Sequence, residues 1–391
     1  MSRVALFACV NYEPEEVRRA VSEALAAIGG LASFVREGQT VLLKPNLLSS
    51  KAPELAVTTH PAIVEAVALE AVKLGAKVVI GDSPPYQGQN PRRYESLCQV
   101  TGMREVADRV GAEIVSLDHP QREVETGGKL FKKLPVSAAV LDADVVINLP
   151  KLKTHGLTGF TGAVKNMFGC VPGLKKSQLH LQAREGREVF SEMLVDVFAA
   201  CKPTLNVMDA VVAMEGPGPS KGRPKQVGAI LASADAVSLD SVARELIGFS
   251  LSSIAHIRLA AERGLGEAGL GHIEIVGSDL DTLRVHDFSP SPTIGSGFAG
   301  MPAPLYKIVK NQFVPMPRVI ADKCVACGDC IKVCAIGAME LVPRHNENSR
   351  KIARADLKKC IACYCCDEAC AYDAISVRKG WLGESLRRTR R

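Results

Sequence analysis

Eight of the thirteen cysteines in this 391-residue chain fall into two runs of one spacing, "CVACGDCIKVCA" at 324–335 and "CIACYCCDEACA" at 360–371, each a C-x2-C-x2-C-x3-C. Thiolates are soft ligands, and four of them at this spacing wrap a turn of backbone around an iron-sulfur cubane. C-x2-C pairs also bind zinc. Two complete four-cysteine runs with no histidine at a ligand spacing favour iron and sulfide instead. In the second run Cys365 is the spare thiol, because only Cys366 keeps both the x2 spacing from Cys363 and the x3 spacing to Cys370. So many cysteines in a chain with no secretion signal argue for metal or redox chemistry before structural disulfides.

These runs resemble the bacterial two-cluster ferredoxins over residues 320–380. The resemblance implies two [4Fe-4S] clusters, with the fourth cysteine of each run crossing to the other cluster. Cys324, Cys327, Cys330 and Cys370 would hold one, and Cys360, Cys363, Cys366 and Cys334 the second. The sequence departs from that family at Ala335 and Ala371, where a proline usually follows the fourth cysteine. A backbone N–H is thereby freed near each cluster, which bears on its potential. Between the runs, "AMELVPRHNENSRKIARADL" reads as two short strands around an Asn-rich turn.

Everything ahead of the cysteines must position whatever the electrons act on. From residue 3 to about 277, β-branched runs such as "RVALFACV", "TVLLKPNLL", "KVVIGD" and "DVVINLP" alternate with amphipathic stretches such as "EEVRRAVSEALAAI" and "PAIVEAVALEAVKLG". This pattern predicts an α/β fold, a mainly parallel sheet with helices on both faces, in front of a small α+β ferredoxin-like domain. The expected organisation is an α/β domain at 1–284, a Pro/Gly/Ser-rich connector at 285–319, the cluster domain at 320–380 and a basic tail at 381–391. Tyr306, Ile308, Val309 and Phe313 are expected to press the connector onto the large domain.

In such sheets ligands gather at the carboxyl ends of the strands. Lys44 and Asn46 follow one strand, Asp82 a second, Lys151, Lys153 and His155 a third, and Asp209 a fourth. In "PKLKTHGLTGFTGAVKNMFG", Lys153, His155, Lys165 and Asn166 surround glycines that open a helix, an arrangement suited to a carboxylate or phosphate. The plainer reading is a basic loop whose helix packs on Met167 and Phe168. His60 precedes Pro61 at a helix start and is either a cap or a proton donor, and Glu215 lies in the turn "MEGPGPSKGRP", a lid or simply a long turn. Cys9, Cys98, Cys170 and Cys201 read as buried small hydrophobes.

"LLKPNLL", "TTHP", "GDSP", "NLPKLKTH", "TGAVKNMFG" and "MEGPGP" together resemble the bacterial and archaeal iron-sulfur proteins grouped as domain of unknown function 362, over most of residues 3–280. That family supplies no reaction. The chemistry rests on the residues: low-potential electrons from the clusters pass to an anionic small molecule clamped by Lys44, Lys151, Lys153 and Lys165, with His155 or His60 giving the proton. The alternatives are an electron carrier that docks a partner enzyme, or a phosphoryl enzyme with Mg²⁺ on Asp82, Asp209 and Glu215.

Hydrophobic residues at 47% and charged residues at 23% describe a chain that buries a core, so disorder is excluded. No apolar run approaches the ~18 residues of a membrane span, so a cytoplasmic protein is expected. Aromatic residues at 5% and a modest net charge of +6 argue against a nucleic-acid surface. The expected partners are a low-potential electron donor or acceptor protein and the anionic substrate. No G-x-G-x-x-G follows the first strand, so a nicotinamide or flavin held by a dinucleotide fingerprint is not expected, a flavin bound in another way stays open, and no Walker loop is present.

Overall fold

The alternating pattern folds largely as expected in a computed structural model that describes residues 1–85, 87–183, 186–291, 312–344 and 347–381. The chain runs through β1 (Ser2–Ala8), α1 (Pro14–Ala27), β2 (Thr40–Pro45), α2 (Pro61–Lys73), β3 (Lys77–Asp82), α3 (Pro91–Val100), α4 (Met103–Val110) and β4 (Glu113–Ser116). A hairpin of β5 (Gln121–Glu125) and β6 (Lys133–Ser137) leads through α5 (Ala138–Asp142) to β7 (Val145–Leu149), β8 (Lys151–His155) and β9 (Gly159–Phe160). Next come α6 (Gly162–Asn166), α7 (Gly173–Gln182), α8 (Arg187–Ala200), β10 (Leu205–Glu215), β11 (Arg223–Ser233), α9 (Ala236–Leu246), α10 (Ala255–Glu262), β12 (Ile273–Gly277) and α11 (Leu280–Leu283).

Ten of these strands form one sheet in the order β12-β1-β11-β10-β7-β2-β3-β4, with β8 on β10 and β9 on β8. Its long pairings are parallel except at β11, which runs antiparallel to both β1 and β10. The loop 216–222 explains that exception, since a parallel crossover takes roughly a dozen residues or more. Both faces are covered, and the strands show it residue by residue. Val41, Leu43, Val145 and Ile147 join the core under α1 and α2, while Leu42 and Val146 join the core under α8 and α9.

Local signals set the helix starts. Pro61 and Pro91 occupy first-turn positions where a missing N–H costs nothing, and Asn90 Oδ1 accepts the N–H groups of Arg92 and Arg93. Asp235 caps α9 in the same way. The helix α7 and the strand β8 were not anticipated. The buried face of α7 is polar, with Lys176, Ser177 and His180 inside, so it shows no apolar stripe. The β8 segment reads as a basic loop yet is buried throughout.

The cluster domain is built from β13 (Met316–Val319), α12 (Asp329–Lys332), β14 (Met339–Arg344), β15 (Glu347–Ala355), α13 (Cys365–Glu368) and β16 (Ile375–Arg378). β14 and β15 form the hairpin expected between the cysteine runs. β13 pairs with β16, so this domain takes in Met316 rather than starting at residue 320. The front of the connector does hug the large domain: Val285 N donates to Leu246 O, and Phe288 is buried against Phe249. Phe313 is partly buried, whereas Tyr306, Ile308, Val309 and the tail 382–391 lie outside the described residues.

Candidate functional site

The ends of β2 and β3 carry a buried ion pair, Lys44 Nζ to Asp82 Oδ1 at 2.7 Å. Both groups are tied further into the backbone. Lys44 Nζ donates to Pro45 O, and Asp82 accepts the N–H groups of Leu47 and Ser83. Gly169 lies against the pair so closely that a Cβ there would sit 2.2 Å from Asp82 Oδ1 and 2.5 Å from Lys44 Nζ. Beside them Asn46 Nδ2 donates to Asn166 Oδ1, and Asn166 Nδ2 donates to Asn148 Oδ1.

This floor opens into a cleft of about 600 Å³, its open mouth included, walled by α6, α7 and residues of the cluster domain. Gly173, Lys176, Ser177 and His180 line it at the i, i+3, i+4, i+7 positions of one face of α7. Lys176 Nζ donates to Ser83 O and Ser83 Oγ and has no carboxylate partner among the described residues. Burial lowers its pKa to about 8, although Asp82 and Asp118 pull upward. Lys165 has neither a hydrogen bond nor an ion pair among the described residues, and burial lowers its pKa. The His180 ring is buried in the wall and held down to about 3, by burial first. An ammonium left without a partner in a lined cleft is the mark of a site for an anion.

The outer wall comes from Cys365 and Glu368 of α13. Burial pushes the Glu368 carboxyl up, but His155, Lys165 and His180 outweigh it and hold the group down at about 2. His155 Nε2 lies 3.4 Å from Glu368 Oε1, while His155 Nδ1 accepts from Leu157 N and Thr158 N. That pattern places the proton of a neutral ring on Nε2, pointing at Glu368. Three more ion pairs fasten the cluster domain to the rim: Lys51 to Asp373 at 2.6 Å, Arg93 to Asp329 at 2.6 Å, and Lys221 to Asp367.

Of the residues expected at the site, the cleft brings together Lys44, Asn46, Asp82, Lys165 and Asn166. Lys153 and His155 stand one layer behind it: Lys153 Nζ donates to Asn46 Oδ1 and Val57 O, and His155 reaches it through Glu368. Lys151, Asp209 and His60 lie outside the lining. Asp209 lies within β10, which continues to Glu215, and it is not at a strand end. Its carboxylate pairs with Lys151 at 2.7 Å and accepts from Tyr12 Oη and His60 N. The His60 ring stacks on Tyr12 and caps α2, with burial lowering its pKa to about 4. Glu215 pairs with Arg223 and accepts from Ser289 N. The acids Asp82, Asp209 and Glu215 therefore each have a different partner and share no ion position.

The helix-start anion site is also corrected. Ala163 N and Val164 N at the start of α6 both donate to the buried carboxylate of Asp240, so those N–H groups are already filled. The turn at 216–222 grips the cluster domain through Lys221 and does not line the cleft. Lys176, Ser177, His180, Cys365 and Glu368 escaped the sequence reading; the i, i+3, i+4, i+7 spacing in α7 was the available signal.

Two further cavities hold the cysteines. One is lined by Cys324, Cys327, Cys330 and Cys370, the other by Cys334, Cys360, Cys363 and Cys366. Cys365 and Ser177 line both the second cavity and the cleft. The two runs share an unusual backbone. Ala326 and Ala362 have φ of 57° and 56°, Gly328 and Tyr364 of 82° and 64°, and Gly337 and Asp373 of 61° and 50°. Left-handed alanine, tyrosine and aspartate persist only where the surroundings impose them.

The family model described as domain of unknown function, DUF362, matches residues 41–245, and that of a 4Fe-4S dicluster domain matches residues 323–374. The chain belongs to the DUF362 family. A thylakoid-associated protein of Synechocystis sp. is 35% identical over 263 residues, 67% of this chain and 79% of that protein. Among solved structures, the lactate racemase apoprotein from Thermoanaerobacterium thermosaccharolyticum aligns with a TM-score of 0.41 at 13% identity. It covers 62% of this chain, which spans 56% of the racemase chain. So distant a likeness carries no functional argument. Among the described residues, no helix of this DUF362 protein is long and apolar enough to cross a membrane.

The residues present fit the 4Fe-4S binding that the dicluster domain brings. Among the described residues none of the eight cysteines is tied up in a disulfide, and backbone N–H groups already point at several of their sulfurs. Ala338 N donates to Cys334 Sγ at 3.1 Å and, one repeat later, Ala374 N to Cys370 Sγ at 3.3 Å. Such donors stabilise a thiolate ligand. Gly169→Ala is expected to break the floor of the cleft and destabilise the protein by about 1–3 kcal/mol. Urea unfolding measures it, with iron content in the cluster domain staying at the wild-type level.

Proposed function

We propose that this DUF362 protein is an iron-sulfur oxidoreductase that delivers low-potential electrons to a small anionic acceptor held in the cleft. One observation carries the reading: a cleft with an unpartnered lysine shares two wall residues, Cys365 and Ser177, with a four-cysteine cavity. The ligand sets are Cys324, Cys327, Cys330 and Cys370 for one [4Fe-4S] cluster and Cys360, Cys363, Cys366 and Cys334 for the other. Two such clusters supply two one-electron steps, enough to reduce one double bond when the acceptor also takes up two protons.

The chain's own residues do the rest. Lys165 and Lys176 bind the negative group of the acceptor, the second Nδ2 hydrogen of Asn46 fixes its orientation, and Asn166 holds Asn46 in place. Lys44 is held by Asp82 and shapes the floor. Lys153 positions Asn46, and His155 positions Glu368. Lys176 is the wall group suited to give a proton, because its pKa, lowered by burial to about 8, lies near working pH. His60, Lys151, Asp209 and Glu215 serve as structural ties in this reading. The covering α13 and α7 exclude water from the acceptor, which strengthens each electrostatic contact.

Anaerobic EPR on the iron-reconstituted, reduced chain tests the proposal with short unsaturated carboxylic acids, fumarate first. Reoxidation by one of them is expected. Clusters that stay reduced with every acid, yet are discharged by an electron-carrier protein, would establish the carrier reading instead. Lys165→Ala should weaken acid binding about ten- to hundredfold, the loss of one charge-assisted hydrogen bond of about 1.5–3 kcal/mol.

The pH dependence has a definite sign. Lys176 is charged below its folded pKa, so acid affinity should begin to fall as pH rises through about 8. Lys176→Gln should lose that inflection, as read by calorimetric titration across pH 6.5–9.5. Cys330→Ala should lower bound iron by one cluster's share and remove one EPR signal; full retention of iron would overturn the ligand assignment.

A further inference from the structure

Electrons must enter before they can leave, and the two cysteine cavities are unequally placed for that. The second borders the cleft through Cys365 and Ser177. The first, lined by Cys324, Cys327, Cys330 and Cys370, has Val325 and Tyr372 on its rim, and these side chains are 51% and 50% exposed. Single exposed apolar residues are ordinary. Two of them at the lip of a redox cavity form a dry contact patch.

The charge around this lip is segregated. Eight acidic residues lie between 312 and 381, and four of them are turned inward to the large domain: Asp329, Asp367 and Asp373 in ion pairs and Glu368 against the neutral His155 ring. At the lip itself Asp322 is engaged by Arg344 at 2.6 Å. Lys323, next in sequence to Cys324, is exposed, and Lys351 is exposed two residues before Ala353. Ala353 lines the cavity and donates its N–H to Cys324 Sγ, so strand alternation puts Lys351 on the same face of β15. Neither lysine has an ion-pair partner among the described residues. Half of the cluster domain's acids face the internal interface, Asp322 at the lip is held by Arg344, and the outer lip is left apolar at its centre with Lys323 and Lys351 unpaired around it among the described residues.

We propose that the Val325–Tyr372 lip, flanked by Lys323 and Lys351, is the docking face for an acidic one-electron carrier protein. In each encounter the carrier loses one electron and the cluster held by the first cavity gains it; no bond forms or breaks and no proton moves. The inference rests on the electron-transfer reading given above and adds its direction, in at the first cavity and out at the second. An apolar centre lets the redox groups approach without trapped water, and the basic surround steers an acidic partner and makes the encounter salt-sensitive.

The test uses the iron-reconstituted full chain and a plant-type [2Fe-2S] ferredoxin as the acidic probe. Calorimetry on the oxidised pair gives the affinity, and stopped-flow spectroscopy gives the rate at which reduced probe charges the clusters. Lys323→Glu/Lys351→Glu is expected to weaken binding roughly tenfold or more and slow charging in proportion, with iron content and reduction by dithionite unchanged. Lys358→Glu/Lys359→Glu, also exposed but near the second run, should behave as wild type. Wild-type affinity in the first double variant, a loss confined to the second, or the absence of salt-dependent binding by the unmodified chain would each overturn the proposal. Lys165→Ala separates the two readings. It should bind the probe normally while binding acids about ten- to hundredfold more weakly, so a failure at the lip leaves the cleft standing and the reverse.

Discussion

The rim of the sheet concentrates buried positive charge, and its compensation is the constraint on which the arrangement depends. Lys44, Lys151 and Lys153 are essentially inaccessible to solvent. A buried ammonium must find a carboxylate or oxygen acceptors, or give up its proton. Lys44 takes Asp82 and Lys151 takes Asp209, while Lys153 has only the oxygens of Asn46 and Val57, and its pKa is lowered well below the ordinary value by burial first. Lys165 and Lys176 are covered by a domain whose nearest carboxylate, Glu368, lies some two hundred residues further along the chain. Docking the cluster domain therefore both desolvates the cleft and supplies part of its counter-charge. One positive group is still left without a partner.

Asp209 shows the same economy away from the cleft. It gathers Tyr12 from the loop after β1, the N–H of His60 at the start of α2, and Lys151 from β8. Four segments distant in sequence meet on one carboxylate. Removing one partner from a pair this buried costs about 3–5 kcal/mol. Polar residues at this end of the sheet thus divide into a buried knot at Asp209 and an open cleft at Asp82, although the two acids look equivalent in the sequence.

That division marks the limit of what could be read from the residues alone. The strands were legible because both faces of the sheet are covered and their apolar runs are continuous, as in "TVLLKP" and "VVINL". Lys44, Asn46 and Asp82 were legible because a polar residue just past a parallel strand has little else to do than face the rim. Asp209 was misplaced because β10 does not stop there; it bulges near Ala210 and continues as a hairpin partner of β11. The cleft wall on α7 was missed because a helix that buries Lys176 and His180 carries no apolar period, and only the helical spacing of its polar residues marked it. Glu368 was hidden for a different reason. Inside a cysteine run it counts only as spacing, and its role appears when the domain that carries it is docked.

The spare thiol gives that docking its functional weight. Cys365 opens α13 between Cys363 and Cys366, and the left-handed Tyr364 just before it turns the chain so that successive residues face different cavities. Cys366 faces the second cysteine cavity, Glu368 faces the cleft, and Cys365 borders both. The one-turn α13, with Ser177 of α7, thus forms the partition between the site that would store an electron and the site that would spend it. Electron tunnelling needs only proximity, whereas a charged acceptor must be excluded from the iron. A thin partition meets both demands, and two contacts on either side of α13, the Lys221–Asp367 ion pair and the His155–Glu368 hydrogen bond, hold it in register with the rim.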